Sequence, residues 1–167
     1  MTMAIQLARV DDRLLHDQVT LGWIKSVRPN RILIVSDRAA HADLHQLVQQ
    51  AAPTAVPVTV ISVTKMVQIY RDARFDGLRP LILTETLPAM AELVAQGIDL
   101  QPTGVNLGNL ANLVHKTALT PSVAVNDGDV QAALAVQAAG VNVYLQPVPG
   151  DQQLDFLEVA RQNGLTR

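Results

Sequence analysis

Short apolar segments alternate with amphipathic segments about six times along this chain, and this alternation restricts the fold most. The clearest apolar segment, residues 32–35, is a continuous run of the kind found in strands that are buried on both faces. Residues 58–63 and 81–83 are similar runs, each followed by a segment with helical spacing. The pattern predicts a three-layer α/β/α domain with a mostly parallel central sheet of about six to seven strands.

The predicted elements follow one another with little connecting chain. The first strand includes Ile5 and Leu7, and the alternating segment 141–145 indicates a strand that is exposed on one face or lies at a sheet edge. The other strands are predicted at 32–35, 58–63, 81–83, 104–109 and 121–125. Helices are predicted from about residue 14 to 27, then at 39–51, 63–71, 88–96, 130–139 and 154–162.

Composition sets limits on domain number and function. With 167 residues, of which 49% are hydrophobic, the chain is expected to form a single domain, residues 1–167. The 13 basic and 15 acidic residues form no basic run, so nucleic acid is not an expected partner. The absence of cysteine excludes disulfides and thiolate metal sites. With neither a signal-peptide pattern nor an apolar run of about 18 residues, a cytoplasmic location is expected.

Charged side chains concentrate where the first strand leads into the first helix. Nine positions hold two arginines, three carboxylates and one histidine: Arg9, Asp11, Asp12, Arg13, His16 and Asp17. In open α/β sheets, ligands bind beyond the carboxyl ends of strands and near helix N-termini. We therefore predict the functional site in this loop.

These residue types are suited to binding a phosphoryl group. Neutral imidazole is a nucleophile near pH 7, and a neighbouring carboxylate can fix its tautomer. Arginine offers forked donors to phosphate oxygens, and free amides at a helix start attract anions. On composition alone, the alternative is that His16 is a solvated polar residue that only caps the helix.

The order of the residues in this stretch distinguishes between the two interpretations of His16. Residues 9–19 read Arg-x-Asp-Asp-Arg-x-x-His-x-Gln-Val, which resembles the opening of the IIB components of the mannose–fructose–sorbose family of the sugar phosphotransferase system. The resemblance continues at residues 30–37, 50–53, 105–108 and 125–130, in the same order along the chain. It implies that His16 is the phosphorylated residue, through Nδ1. No cofactor is expected, because the chain has no GxGxxG, Walker-type or HExxH motif.

Roles for the neighbouring residues follow from this interpretation. Asp11 or Asp12 would orient the ring of His16, which must be exposed because two partners reach it in turn. Arg13 and Arg9 would balance the phosphate charge. The backbone amides of Asp17, Gln18 and Val19 would bind the phosphate oxygens.

The resemblance also implies partners. A IIA protein would donate the phosphoryl group, and a sugar bound by a membrane IIC/IID complex would receive it. The chain would then associate with the inner face of the membrane through its partners, and related IIB domains suggest a homodimer.

One residue departs from the family pattern. The family usually has glycine directly after the histidine, where this chain has Asp17. Glycine would permit a positive φ there, whereas aspartate adds a negative charge beside the phosphoryl group. A non-catalytic regulatory relative on the same fold is therefore an alternative. A nucleotide-binding Rossmann-like protein is a second alternative, although the chain has no GxGxxG motif.

Other polar residues follow predicted strands, and each has two interpretations. Ser36, Thr84 and Thr86 would line the phosphate site or only cap helices, and Gly108 lies in a turn suited to a nearby ligand. Trp23 is expected in the core rather than stacked on a substrate. His41 and His45 are four residues apart, but a solvated helix face is favoured and no metal site is predicted.

Overall fold

The computed structural model describes residues 3–38, 40, 55–111 and 113–166. The strands are β1 (Leu7–Asp11), β2 (Arg31–Val35), β3 (Val58–Ile61), β4 (Pro80–Thr84), β5 (Val105–Asn109), β6 (Thr117–Thr120), β7 (Val123–Val125), β8 (Val143–Leu145) and β9 (Leu154–Asp155). The helices are α1 (Ile24–Val27), α2 (Val63–Tyr70), α3 (Leu87–Ala95), α4 (Asp127–Ala138) and α5 (Phe156–Gln162). A π-helical turn, Gln18–Trp23, leads into α1, and a 3-10 turn, Ala73–Phe75, precedes β4.

Seven strands form one sheet in the order β3-β2-β4-β1-β5-β8-β9. Neighbouring strands from β3 to β8 pair in parallel, and only β9 pairs antiparallel, with β8. The prediction of a mostly parallel sheet of six to seven strands is confirmed. The central strand β1 is buried at all five positions, so its carboxyl end lies in the middle of the sheet edge where ligands bind.

Both faces of the sheet are covered, as the three-layer prediction requires. Ile32 and Ile34 of β2 belong to one apolar cluster, which also includes Trp23 from the first helical segment. Leu33 and Val35, which point to the opposite face, belong to a second, larger cluster packed with α2 to α5. The continuous apolar run of β2 therefore reflects burial on two sides.

Three predictions in the second half of the chain are wrong. β8 is buried at every position and is the penultimate strand, because the short strand β9 covers its outer side. Only Asn142, which precedes β8, is exposed and produces the alternation. β9 occupies the start of the predicted helix 154–162, so that α5 begins at Phe156. The predicted sixth strand lies outside the main sheet, since β7 pairs antiparallel with β6, a strand that was not predicted.

The first helix also begins later than its spacing indicated. Leu14 has a φ of 55° and lies in the loop, and the helical residues start at Gln18. The helix ends at Val27, followed by Arg28 at a φ of 49°. Pro29 explains this position, because the residue before a proline avoids the right-handed helical region.

The other predicted helices agree with the structure within a few residues. Thr86 caps α3, Gly97 follows its end at a φ of 96°, and Asn126 with Asp129 forms a capping box on α4. The predicted helix 39–51, with His41 and His45, lies outside the described residues, apart from residue 40.

Candidate functional site

His16 contacts Asp11 at the carboxyl end of the central strand. Nε2 of His16 lies 2.6 Å from Oδ2 of Asp11, within hydrogen-bond distance. The carboxylate is an acceptor only, so the ring nitrogen donates and the proton is held on Nε2. This leaves Nδ1 as the nitrogen with a lone pair when the ring is neutral. The side chain of His16 is 14% exposed and that of Asp11 is fully buried, so His16 is less exposed than expected.

A tight turn brings the histidine back to the strand end. Oδ1 of Asp11 accepts from the backbone N–H of Arg13 at 3.0 Å, and the Asp11 carbonyl accepts from the N–H of Leu14 at 3.0 Å. Leu14 takes the left-handed conformation, which is costly for a leucine, while its side chain is buried. Burial of this side chain compensates for the strain that the turn requires.

Arg9, two residues before Asp11, is completely buried and uses all five of its N–H groups. Nε and Nη2 donate to Oδ2 of Asp11 at 3.2 and 3.0 Å. Nη2 also donates to Oε1 of Gln18 at 3.1 Å. Nη1 donates to Oδ1 of Asn106 at 2.8 Å and to the Gln146 carbonyl at 3.2 Å. Burial lowers the pKa of Arg9, and the neighbouring Asp11 opposes that shift.

The guanidinium of Arg9 lies between a glycine and a tryptophan. A Cβ atom on Gly108 would overlap with the guanidinium carbon and both Nη atoms of Arg9, so no other residue fits at this position. On another side, the Cζ of Arg9 lies 5.6 Å from the centre of the Trp23 ring, and Trp23 donates from Nε1 to the Pro147 carbonyl at 2.9 Å. Trp23 is buried, as predicted, and Gly108 is required by Arg9 rather than by an unusual φ.

Asp12 binds the end of β5 and the loop that follows it. Its Oδ2 accepts from the N–H of Ala111 at 2.9 Å, and its Oδ1 accepts from Nδ2 of Asn109 at 3.3 Å. Of the two carboxylates considered for orienting the ring, Asp11 is therefore the one in contact with it. Asp12 holds the loop that follows β5 beside the loop that follows β1.

Arg13 is exposed and borders an open cavity of about 520 Å³. The cavity lies beyond the ends of β1, β4 and β5 and is lined by Asp12, Arg13, Glu85, Thr86, Leu110, Ala111, Lys116 and Asp129. Lys116 pairs with Asp129 at 3.3 Å across this space. The cavity is thus a polar cleft with charges of both signs.

The three residues after His16 differ in whether their backbone N–H groups can bind an anion. Asp17 is exposed and has φ −57° and ψ −37°, so this position needs no positive φ and aspartate fits without strain. The N–H of Val19 donates to the His16 carbonyl at 2.9 Å and is not available for a ligand. Gln18 contacts Arg9 through its side chain. The amides of Asp17 and Gln18 therefore remain the candidates at the helix start.

The polar residues after β2 and β4 form a network of their own. Ser36 donates to Glu85, and Glu85 also pairs with Arg38. Thr84 donates to the Thr86 carbonyl at 2.9 Å, while Thr86 caps α3 and also lines the cavity. None of these contacts involves His16. Glu85 was not singled out in the sequence, although its place after a buried strand is the same signal that identified Ser36.

No group of three or more metal-ligating side chains occurs in the part of the chain that the structure describes. Within the same residues, no helix has the length and apolar character needed to cross a bilayer.

Comparison with known proteins agrees with this geometry. Residues 5–167 match the family model of the sorbose-subfamily IIB component of the phosphotransferase system. The fructose-specific EIIB component of Bacillus subtilis is 32% identical over 160 residues, which cover 95% of this chain and 97% of that protein. The mannose-specific EIIAB component of Escherichia coli K12 is 33% identical over 158 residues, but this chain covers only 48% of that protein.

The fold also has close counterparts among solved structures. The IIBSor domain of the sorbose permease from Klebsiella pneumoniae superposes with a TM-score of 0.90 at 31% identity, covering 96% of this chain and 98% of that one. The parallel sheet is that of a phosphotransferase-system domain. The chain belongs to the sorbose subfamily of IIB components.

Proposed function

We propose that this chain is a phosphoryl carrier that holds a phosphoryl group on Nδ1 of His16. The observation that carries the proposal is the contact between Asp11 Oδ2 and His16 Nε2, because it leaves Nδ1 as the nucleophilic nitrogen. Membership of the IIB family supports it, since the relatives are components of a phosphotransferase system.

In the first step, the donor is the phosphohistidine of a IIA protein. The lone pair on Nδ1 of His16 attacks the phosphorus, and the N–P bond of the donor breaks, returning its electron pair to the donor imidazole. Positive charge develops on the ring of His16 as the new bond forms. The carboxylate of Asp11 stabilises that charge, as a buried aspartate does for a catalytic imidazole.

In the second step, a hydroxyl oxygen of a sugar in a membrane IIC/IID complex attacks the phosphorus. The N–P bond to His16 breaks, and its electron pair returns to Nδ1. The hydroxyl proton passes to a base of the membrane complex. In both steps this chain acts mainly by positioning groups and balancing charge.

The surrounding residues divide these tasks. Arg13 is exposed beside the loop, and its guanidinium balances the phosphate charge. The amides of Asp17 and Gln18 bind phosphate oxygens at the helix start. Arg9 acts through Asp11, since its five donors are occupied within the protein. Ser36 is assigned no phosphate contact, because it donates to Glu85.

The proposal places the chain as a single domain, residues 1–167, at the cytoplasmic face of the membrane, held there by its partners. The continuous sheet from β3 to β9 supports the single domain. Homodimer formation stays a prediction, and so does the identity of the sugar.

The test is phosphate incorporation from labelled phosphoenolpyruvate, the general phosphotransferase proteins and a IIA protein of this family. We expect acid-labile, base-stable label on the wild type and none on His16→Ala. His115→Asn is the matched control, because His115 is exposed and asparagine tolerates its φ of 55°. Phosphorus NMR should assign the label to Nδ1.

A folded protein that takes no label from an active IIA protein would contradict the carrier proposal. That result would favour the non-catalytic relative on the same fold, with Asp17 as the first residue to revert to glycine.

A further inference from the structure

The buried guanidinium of Arg9 occupies a pocket beside the contact between Asp11 and His16. We define this Arg9 pocket by Trp23, Asn106, Gly108 and the carbonyl of Gln146. We propose that Asn106 is a positioning residue for His16, acting through Arg9 and Asp11 to keep the ring proton on Nε2. The consequence for phosphoryl transfer rests on the proposed function, whereas the state of the ring does not.

Asn106 makes two contacts that one amide side chain can make at once. Its Oδ1 accepts from Nη1 of Arg9 at 2.8 Å, and its Nδ2 donates to the Gln146 carbonyl at 3.0 Å. The same carbonyl accepts from Arg9 Nη1 at 3.2 Å, so the three groups form a closed triangle. Asn106 is completely buried on β5, so water cannot reach its side chain to replace a hydrogen-bond partner that is lost.

The triangle determines where the guanidinium points. With Nη1 held by Asn106 and Gln146, the opposite edge, Nε and Nη2, faces Oδ2 of Asp11. That same oxygen accepts from Nε2 of His16. A carboxylate held by two arginine donors cannot rotate away, so its remaining lone pair stays directed at the imidazole.

Steric contacts restrict Arg9 to this one position. Gly108 lies against the guanidinium so closely that a Cβ atom would overlap with it, and Trp23 lies 5.6 Å from Cζ. Asn106 and Gly108 are two residues apart on β5, so both face the same side of the sheet, toward Arg9. β5 therefore provides both the polar anchor and the space for the arginine.

Arg9 and Arg13 differ in function because all the N–H donors of Arg9 are occupied within the protein. Arg9 has no N–H group left for a phosphate oxygen, so its influence on His16 runs through Asp11. A defect in the Arg9 pocket should therefore change the histidine before any phosphate arrives, which makes the proposal testable on the free protein.

The first experiment measures the tautomer of His16 by nitrogen-15 NMR of histidine-labelled protein, at a pH where the ring is neutral. The wild type should show the Nε2–H form. Asn106→Ala should lower the ratio of the Nε2–H to the Nδ1–H form by about tenfold, the effect of losing one hydrogen bond to a charged group. The matched control is Asn109→Ala, since Asn109 is a buried asparagine on the same strand that contacts Asp12 instead.

Two further variants keep the test decisive if Asn106→Ala does not fold. Asn106→Asp keeps the shape of the side chain but removes the donor to Gln146 and competes with Asp11 for Arg9, so the ratio should fall again. Gly108→Ala displaces Arg9 from another direction and should have the same effect, with Gly77→Ala as control because nothing lies within 4 Å of its added Cβ. A folded Asn106 variant with the wild-type ratio overturns the proposal, as does a wild type in the Nδ1–H form.

Phosphorylation kinetics test the consequence. With the IIA protein as phosphodonor, Asn106→Ala should lower kcat about tenfold and leave KM within about twofold, because the pocket acts on the ring and not on docking. If the wild type takes no phosphate but Asn106→Ala still shifts the tautomer, the proposed function fails and the positioning role stands. If the wild type is phosphorylated and the tautomer is unchanged in every folded variant, the positioning role fails alone.

Discussion

Replacement of Asp11 by asparagine should be the most damaging single change of charge in the site. Asp11 and Arg9 form an ion pair with both side chains fully buried, and Oδ2 of Asp11 accepts two of the five Arg9 hydrogen bonds. Asparagine has the same shape but no charge, so Arg9 would remain as a buried cation without a counter-charge. Breaking a buried pair in this way costs about 3–5 kcal/mol.

The second cost comes from hydrogen bonds that asparagine satisfies only in part. Asp11 also accepts from the N–H of Arg13 and from Nε2 of His16, so its two oxygens take four bonds in all. An amide offers one acceptor oxygen in place of two, and its NH₂ group would face donors. We take about 4 kcal/mol as the expected loss, a large fraction of the 5–15 kcal/mol by which typical domains are stable.

Urea denaturation of the wild type and Asp11→Asn would measure this loss as a shift in midpoint at unchanged m-value. Asp12→Asn is the matched control, because Asp12 carries the same charge one residue later but, among the residues that the structure describes, binds Asn109 and Ala111 at a partly exposed position. Its expected loss is about 1 kcal/mol. Equal losses for the two variants, or a loss below about 1 kcal/mol for Asp11→Asn, would refute the reasoning.

Two further substitutions and one titration test single features of the structure. Asp17→Gly should make phosphoryl transfer from a IIA protein faster, because it removes a negative charge; initial rates measure this, and a slower transfer would contradict it. The same substitution should cost up to about 1 kcal/mol in stability, measured by urea denaturation, because the φ of −57° gives glycine no advantage. Thr86→Ala should lose about 1 kcal/mol in urea denaturation because Thr86 caps α3 through the N–H of Ala89, and an unchanged midpoint would exclude the cap. Hydrogen bonds from Arg74 lower the pKa of Asp72 to about 2, so this pair should stabilise the fold above pH 3.8 and lose its effect as the pH falls through about 2. Carbon-13 NMR titration of the Asp72 carboxyl group measures this pKa, and a titration midpoint near 3.8 would contradict the prediction.

The sheet was predictable because its signal is local. The buried parallel strands β2 and β4 each carry their own apolar run, and each of the helices α2 to α5 begins at a capping side chain. The strands that were missed, β6 and β9, have no such run and form because a partner strand is adjacent. Tertiary pairing, which the sequence pattern does not contain, decides elements of this kind.

The candidate site, too, was predictable from the sequence only in part. The sequence placed His16 within nine positions of three carboxylates and two arginines, where the first strand leads into the first helix. It did not distinguish Asp11 from Asp12, because both are within reach of a histidine in an unspecified turn. The positive φ of Leu14 and the contacts of Asp12 with the loop after β5 resolve this, and the contacts of Asp12 depend on β1 and β5 being neighbours.

By itself, the sequence determined the family and the layered fold, and it predicted the histidine of the site, since all three rest on residues close together in the chain or on their order. Only the tertiary structure decided what Arg9 does. Its partner Asn106 is 97 residues away and its space is provided by Gly108, so the role follows from the pairing of β1 with β5. A buried cation requires partners on every side, and a packed sheet supplies them from distant parts of the chain.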